Sequence, residues 1–289
     1  HAYCRVPNVI LSPHVGGVPC FSNAVIERKG ARTGLITTRG FRDTLEIGRE
    51  RKYELYDINI LKPAPLVPPA GIGWRPPPRA APQVPPLAAE LVTYEGLHRA
   101  AWHGDLPKLK SLIASGASLD ARDARGRTPL QVATYARQRD AVTLLAKAGA
   151  NIDLLEDDRY DAVTIASVAD DVTTLTLLLQ LGAKPGQVTS RYDGTALIAA
   201  AHLGHDEVVR RLVAAGAPLD HVNNLHWTAV IESIVLGDGG APHQRTLAAL
   251  IAGGANLQLA DRQGLTPLQL AKARGYTAMV KQLEAARAK

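Results

Sequence analysis

The sequence predicts an all-α repeat solenoid from about residue 94 to the C-terminus, preceded by a small, incomplete α/β segment and a proline-rich linker. Three observations lead to this fold class. A Gly-Ala pair recurs after apolar helical stretches, Thr-Pro-Leu follows a glycine turn at two predicted helix starts, and ten of the 24 residues from Pro63 to Pro86 are proline. Short helices repeated at such a period bury their apolar faces against their neighbours.

The Gly-Ala pairs set the period of the repeat. They begin at five glycines, with spacings of 33, 33, 34 and 38 residues: Gly116, Gly149, Gly182, Gly216 and Gly254. The stretch before each pair has apolar residues at steps of three and four, which is one face of a helix. Glycine then ends the helix in a left-handed backbone conformation that costs other residues more. Each unit therefore closes with a helix that ends at its glycine.

A second signal marks the start of a unit. Residues 126–130 (Gly-Arg-Thr-Pro-Leu) and 264–268 (Gly-Leu-Thr-Pro-Leu) combine a turn with a helix start. The threonine hydroxyl accepts a hydrogen bond from a free backbone N–H, and proline suits the first helical turn. With a 33-residue period, this pattern resembles the ankyrin repeat over about 195 residues. The resemblance implies helix-turn-helix units with β-hairpin loops.

Six units fit the pattern within 94–289, with boundaries at 94–122, 123–155, 156–188, 189–222, 223–259 and 260–289. The first has no preceding hairpin, as expected for a cap. The third departs from the family pattern in its turn, which predicts an irregular hairpin. The fifth has His226 where the family usually has glycine, and a flexible insertion from Gly237 to Pro242 between its paired helices.

The front of the chain divides into residues 1–62 and a linker at 63–88. Proline fixes φ and lacks a donor, so the linker is predicted to be extended. The run from Ser22 to Pro68 is similar, over about 47 residues, to the N-terminal region of the hydantoinase/5-oxoprolinase A subunits. The resemblance implies a helix, a strand and a second helix of an ATP-using amidohydrolase. The phosphate-binding and ring-opening regions are missing, so we expect no hydantoinase activity.

Residues 7–17 resemble a late segment of D-2-hydroxyacid dehydrogenases, in which a histidine at the position of His14 serves as acid/base. No glycine-rich dinucleotide turn follows a strand here, and no acidic partner can be placed. We therefore expect a remnant or a coincidental turn. An array that follows two enzyme-like pieces is an unusual domain order, and a fused or misassembled reading frame is one explanation of that order.

Charge and composition narrow the function classes. Residues 1–89 hold 12 Lys/Arg and 6 Asp/Glu, whereas residues 90–289 hold 21 of each, so the net charge of +6 lies in the front segment. A neutral array argues against nucleic-acid binding. No apolar run reaches the roughly 18 residues that a bilayer span needs. Cys4 and Cys20 lack metal-site spacing. The compartment stays open: cytoplasmic as given, or periplasmic if a signal peptide precedes the array.

The array offers little chemistry of its own. His202 and His205 lie three apart and share a helix face, but no third metal ligand has suitable spacing. The Gly-Asp-Gly-Gly run at 237–240 lacks the strand and the Gly-Lys-Ser/Thr of a phosphate loop. We expect no catalytic residue, cofactor or metal site, and assign His205 to closing the turn between helices.

These observations predict a monomeric scaffold that binds a protein partner through its hairpin tips and first helices. Tyrosine, tryptophan and arginine most often carry interface energy. The candidate contacts are Trp102, His103, Arg125, Arg127, Tyr135, Arg159, Tyr160, Arg191, Tyr192, Trp227, Arg262 and Gln263. Arg127→Ala with Tyr192→Ala is expected to weaken partner capture without unfolding the array. The alternatives are a hydantoinase/oxoprolinase-like remnant with residual ligand binding, and an unfolded passenger at residues 1–88.

Overall fold

The computed structural model describes residues 4–6, 9–11 and 85–287. The chain divides into two units, His1–Pro77 and Pro78–Lys289. In the first unit, strands β1 (Cys4–Val6) and β2 (Val9–Leu11) pair antiparallel. The hydantoinase-like run, most of the proline-rich linker and His14 lie outside the described residues.

The described part of the second unit is helical, with a single helix before the predicted repeats and two helices in each repeat. The first is α1 (Ala88–Thr93). The pairs that follow are α2 (Gly96–His103) and α3 (Leu106–Ala114), α4 (Pro129–Tyr135) and α5 (Arg139–Lys147), α6 (Ala162–Val168) and α7 (Val172–Gln180), α8 (Ala196–Leu203) and α9 (Asp206–Ala214), α10 (Ala229–Val235) and α11 (Ala241–Ala252), and α12 (Pro267–Ala273) and α13 (Thr277–Arg287).

The hydrophobic core runs through the whole stack. First helices pack against the first helices of the neighbouring repeats, and second helices pack against second helices. One apolar position of the second helix is fully buried in every repeat from the first to the fifth: Leu109, Val142, Leu175, Val209 and Leu247. Because no repeat covers its own apolar face, the stability of the stack comes from contacts between neighbours.

The helix ends predicted from the sequence are confirmed. The five glycines of the Gly-Ala pairs all have φ between 80° and 102°. Thr128 caps α4 by accepting a hydrogen bond from the Gln131 backbone N–H. In return, the Gln131 side-chain oxygen accepts a hydrogen bond from the Thr128 backbone N–H. Thr266 and Gln269 repeat this arrangement at α12. These reciprocal capping boxes satisfy N–H groups that a helix leaves free at its start.

Helix α1 was not predicted. It begins at the last residue of the predicted linker and fills the gap before the first repeat. The Leu87 N–H donates to the Glu90 carboxylate at 2.8 Å and so fixes the first turn. Val92, on the same helix, is 85% exposed. No residue of α1 is buried, and its side-chain contacts to the repeats are those of Glu90 with Arg125 and Arg127.

Five tight turns, here called tips, lead into the first helices of repeats two to six: residues 123–127, 156–160, 189–194, 223–227 and 261–265. Each is closed by a hydrogen bond from the first backbone N–H to the last carbonyl. The third-repeat tip closes in the same way as its neighbours, so the prediction of an irregular hairpin there was wrong. The irregular tip is that of the fourth repeat, which has one more residue and forms the bridge Thr189↔Gly194.

His226 and Gly264 occupy the same position of their tips, with φ of 63° and 76°. A Cβ in this left-handed region costs about 1 kcal/mol. We therefore expect His226→Gly to raise the free energy of unfolding by about that amount, and Gly264→Ala to lower it similarly. A Cβ at Gly264 would meet nothing within 4 Å, so that variant reports backbone strain alone. Urea titrations followed by circular dichroism measure both, and a less stable His226→Gly would contradict the prediction.

Candidate protein-binding surface

Hydrogen bonds connect most of the tips from one repeat to the next. Three of them join backbone to backbone at 2.8–3.1 Å: Asp157 N to Arg125 O, Ser190 N to Arg159 O, and Asn224 N to Tyr192 O. The last link is made by a side chain, since Arg262 Nη2 donates to the Asn224 carbonyl at 3.0 Å. Because each tip holds the next, the tips form one continuous and pre-organised row.

Two crossed ion pairs join the tips of repeats three and four. Arg159 Nη1 lies 2.9 Å from Asp193 Oδ1, and Arg191 Nη2 lies 2.7 Å from Asp158 Oδ1. All four side chains are between 42% and 71% exposed. Exposed pairs of this kind contribute only about 0–1 kcal/mol. Both predicted arginines are therefore at the surface and can exchange their internal carboxylate for that of a partner at small cost.

The other exposed candidates lie towards the two ends of the row. The Arg125 Nε lies 3.1 Å from Glu90 Oε1 on α1. Gln263, in the last tip, is exposed and donates its backbone N–H to Asp261 Oδ1. His103 is exposed at the end of α2. The aromatic candidates of the first helices, Trp102 and Tyr135, are partly buried, and burial raises the pKa of the Tyr135 hydroxyl.

Three predicted contact residues face inward, which corrects the expectation that they line the binding surface. Arg127, Tyr160 and Trp227 are 3%, 9% and 8% exposed. Each is the last residue of its tip, where the chain turns into the first helix. The Trp227 ring belongs to the hydrophobic core. Side chains at this position serve the stack and are not available to a partner.

Arg127 belongs to a group here called the cap cluster, made of Glu90, Tyr94, Asp123 and Arg127. The Nε of Arg127 lies 2.7 Å from Asp123 Oδ2, and the Nη2 of Arg127 lies 2.8 Å from Glu90 Oε2. The Tyr94 hydroxyl donates to the same Asp123 oxygen at 2.7 Å. Burial alone would raise the pKa of Asp123, but hydrogen bonds from Tyr94 and from backbone N–H groups outweigh it and lower that pKa. The cluster fastens α1 to the first tip.

An exposed apolar group that was not predicted lies at the tips of repeats four and five. Val188, Tyr192 and Val222 are 38%, 50% and 44% exposed, and together they are called the tip patch. They are three of the five large apolar side chains that are exposed in the described part of the chain. Val188 and Val222 each immediately precede a tip, 34 residues apart, which is the signal that could have found them. Exposed apolar groups that cluster mark association surfaces.

The histidines and the insertion of the fifth repeat are structural. His205 Nδ1 lies 3.0 Å from the Ser167 carbonyl, which links two repeats. In the insertion, Asp238 Oδ1 accepts the Gly240 N–H at 2.9 Å, and the Tyr276 hydroxyl donates to the Gly237 carbonyl at 2.9 Å. That the insertion is flexible stays a prediction. The described residues hold no group of three or more metal-ligating side chains.

No helix in the described ranges is both long and apolar enough to cross a membrane. Family models match most of the array and part of the front segment. The model for ankyrin repeats (3 copies) matches residues 97–189, and a single ankyrin repeat matches residues 192–224.

The model for the hydantoinase/oxoprolinase N-terminal region matches residues 17–70. The 5-oxoprolinase of Dictyostelium discoideum is 43% identical over 47 residues, which are 16% of this chain and 4% of that enzyme. The front segment therefore resembles the start of these enzymes and covers a small fraction of them. The dehydrogenase-like character of residues 7–17 stays a prediction.

Relatives of the array match over nearly their whole length. An ankyrin repeat domain from Acinetobacter baumannii AYE has 42% sequence identity and a TM-score of 0.63, covering 66% of this chain and 97% of that one. The Escherichia coli K12 protein YahD, named for its ankyrin repeats, is 34% identical over 189 residues, covering 65% of this chain and 93% of YahD. The chain belongs to the ankyrin repeat family, whose members are protein-interaction scaffolds.

Proposed function

We propose that the array captures a protein partner through the tip patch and the two arginines beside it, without catalysing a reaction. The half-exposed ring of Tyr192, at the apex of the longest tip, is the observation that carries this proposal. Aromatic side chains bury a large area on binding and are enriched among residues that dominate interface energies.

The tip row supports this proposal because it is ordered before a partner arrives. The carbonyl of Tyr192 accepts the Asn224 N–H at 2.9 Å, and its backbone N–H donates to Ser190 Oγ at 3.2 Å. A side chain presented on a fixed backbone loses little freedom on binding, so more of the contact energy appears as affinity. Tyr192 is therefore suited to act as an anchor.

The surroundings of the tip patch define the partner's chemistry. Arg159 and Arg191 flank Tyr192 in neighbouring positions of the row, each in an exposed ion pair. The array as a whole has no net charge, so it does not favour a partner that has a uniformly acidic or basic surface. The partner that fits presents an apolar or aromatic side chain with a carboxylate close to it, which arginine recognises through paired donors.

Tyr192→Ala is expected to abolish most of the partner binding while leaving the fold unchanged. Val92→Ala is the matched control, because it removes an exposed apolar side chain from α1, which does not contribute to the tip patch. Extracts of the source cells are passed over immobilised wild type and both variants, and the captured protein is then titrated by calorimetry. We expect at least a tenfold loss of affinity for Tyr192→Ala, on the order of 2 kcal/mol for an anchor residue, and none for Val92→Ala.

The same experiment can overturn the proposal. Equal affinity of wild type and Tyr192→Ala for the captured protein would show that binding uses another face of the array. Circular dichroism of both variants verifies that the fold is intact. Light scattering of the free chain tests the accompanying expectation that it is a monomer.

The enzyme alternative has support only in residues 17–70, where the hydantoinase/oxoprolinase N-terminal region matches. That region is the beginning of a much longer enzyme, so we propose no turnover of a hydantoin or of 5-oxoproline by this chain. ATP hydrolysis stimulated by 5-oxoproline would contradict this.

A further inference from the structure

A groove of about 560 Å³ lies between α9 and α11, the second helices of repeats four and five. Its lining residues recur at steps of three and four along each helix, so the groove follows the helix axes. Small apolar side chains line most of it. Arg210 and Arg245 precede the other lining residues on their helices and therefore lie at one end. The groove includes none of the tip residues, so it is independent of the tip patch.

The groove exists because the outward side chains of α11 are shorter than those of the corresponding helix in repeat three. Positions are counted back from the glycine that follows each second helix. The sixth, fifth, second and first positions before Gly182 are Thr176, Leu177, Gln180 and Leu181. The same positions before Gly254 are Ala248, Ala249, Ala252 and Gly253. The atoms that would fill the space beside α11 are therefore absent from its sequence.

Gly253 brings α11 against α9 at the other end of the groove. Its φ of −74° is available to any residue, so the backbone conformation does not require glycine. A Cβ at this position would lie 2.6 Å from Val213 Cγ1, so glycine permits the close approach of the two helices. The groove therefore has a closed floor, with the exposed Ala248 and Ala252 along one wall.

The arginine end of the groove carries a net positive charge. Arg210 Nη2 and Arg245 Nε lie 2.7 Å and 3.1 Å from the same oxygen, Asp206 Oδ2. Glu207 pairs with both Arg210 and Arg211. Three guanidinium groups thus share two carboxylates, and the three arginine side chains are between 48% and 56% exposed. One positive charge is left for an anionic group of a partner.

We propose that this groove is a second docking surface, which takes an amphipathic helix of a protein partner with its apolar side chains between α9 and α11 and a carboxylate at the arginine end. The lining residues of α11 extend from Arg245 to Gly253, which is about 12 Å or two helical turns. A partner helix of similar length presents side chains at i, i+3, i+4 and i+7 to such a groove.

The shape of the groove favours a helix, and its charge favours a carboxylate. Helix axes pack about 8–10 Å apart, and small residues at the contact allow the shorter separations. A partner helix can therefore lie close to the backbones of α9 and α11. A carboxylate at the arginine end accepts paired N–H donors from a guanidinium group. The walls offer alanine rather than the large apolar side chains that insert into a bilayer, so a membrane surface fits less well.

The test uses the full chain and two lactam-bridged helical peptides of about 14 residues, because unbridged helices of that length are marginal in water. Both peptides carry leucines at i, i+3, i+4 and i+7. One has glutamates flanking the leucines, and the other has lysines at the same positions. Fluorescence anisotropy measures their binding. We expect the glutamate peptide to bind at least about tenfold more tightly, since the lysines face arginines. Amide chemical-shift changes on its addition should be concentrated in α9 and α11.

Variants of the chain test the groove itself. Ala248→Leu combined with Ala252→Leu fills the groove from exposed positions and should weaken binding of the glutamate peptide at least about tenfold. Arg245→Gln should reduce the preference for glutamate over lysine. Ala114→Leu is the matched control, because Ala114 is the exposed alanine of α3 at the position of Ala252 and does not line the groove. It should bind as the wild type does, and circular dichroism verifies each fold.

Failure to bind the glutamate peptide, or equal binding of the two peptides, would overturn the proposal. Equal binding by the wild type and the filled variant would do the same, as would chemical-shift changes confined to the tips. A wild-type dimer that the filled variant loses in light scattering would instead assign the groove to a second copy of the chain. Binding of the wild type, but not of the filled variant, to phosphatidylglycerol vesicles would assign it to a membrane. Either result contradicts a helix of a protein partner.

Discussion

Arg127→Ala is expected to lower the free energy of unfolding by about 3 kcal/mol, because it leaves the buried Asp123 without its cation and removes one of the two that pair with Glu90. Asp123 is 6% exposed and Glu90 is 21% exposed, so water replaces the lost partner poorly. Arg125→Ala is the matched control. Its side chain is 53% exposed and pairs with the same Glu90, and it should cost less than about 1 kcal/mol.

Urea titrations at pH 7 measure both variants. Arg127→Lys keeps the charge without the forked donors and should fall between wild type and Arg127→Ala. Glu90 and Asp123 both have lowered pKa values, Glu90 chiefly through its hydrogen bond from Arg127. Their contribution to stability is therefore lost as pH falls through those values, and the gap between wild type and Arg127→Ala should narrow in acid. Equal costs for the two alanine variants would show that the cluster does not fasten α1.

This expectation replaces the one drawn from the sequence alone. Arg127→Ala combined with Tyr192→Ala would confuse lost stability with lost binding, because Arg127 is buried in the cap cluster. Tyr192→Ala alone separates the two effects.

Asp161→Asn is expected to stabilise the protein by about 2 kcal/mol at pH 7.5, and by little at pH 4. Asp161 caps α6 by accepting the Thr164 N–H at 2.7 Å and is 1% exposed. Burial raises its pKa to about 6, against the opposing hydrogen bonds from Thr164. The folded state therefore holds more protons than the unfolded chain between about pH 4 and pH 6, and stability falls as pH rises through that range. Asparagine caps equally well without a charge.

Asp171→Asn provides the opposite case in the same repeat. Asp171 caps α7 through the Thr174 N–H, and Arg139 Nη2 lies 3.0 Å from its carboxylate. Burial alone would raise its pKa, but the hydrogen bonds from Thr174 and Arg139 lower it. We expect a loss of about 1 kcal/mol at pH 7.5. Thermal unfolding between pH 4 and pH 8 compares the two variants with the wild type. A change in melting temperature at pH 7.5 that has the same sign for both variants would contradict this assignment of buried charges.

Much of the fold could be predicted because its signals are local. The glycines of the Gly-Ala pairs end their helices with positive φ, and Thr128 and Thr266 begin theirs with capping boxes. Each of these features depends on residues within one or two turns of the chain. The period then follows from counting, and the stacking of repeats follows from the apolar faces that the period creates.

The candidate site could be predicted only in part. Tyr192, Arg159 and Arg191 lie at exposed tip positions, as the repeat pattern indicated. Pattern position alone could not separate them from Arg127, Tyr160 and Trp227, which are also in tips and are buried. The valines of the tip patch were overlooked because an apolar residue beside a turn is ordinarily counted as core.

By itself, the sequence determined the family, the period, the helix boundaries at glycine and threonine, and the neutrality of the array. Only the tertiary structure decided which tip side chains are available to a partner and that α1 is fastened to the tip at residues 123–127. The Glu90 that binds Arg127 lies 37 residues away, and the His202 carbonyl that meets His243 lies 41 residues away. Backbone preferences act over a few residues and can be read in sequence, whereas burial and pairing depend on groups that meet only when neighbouring repeats stack.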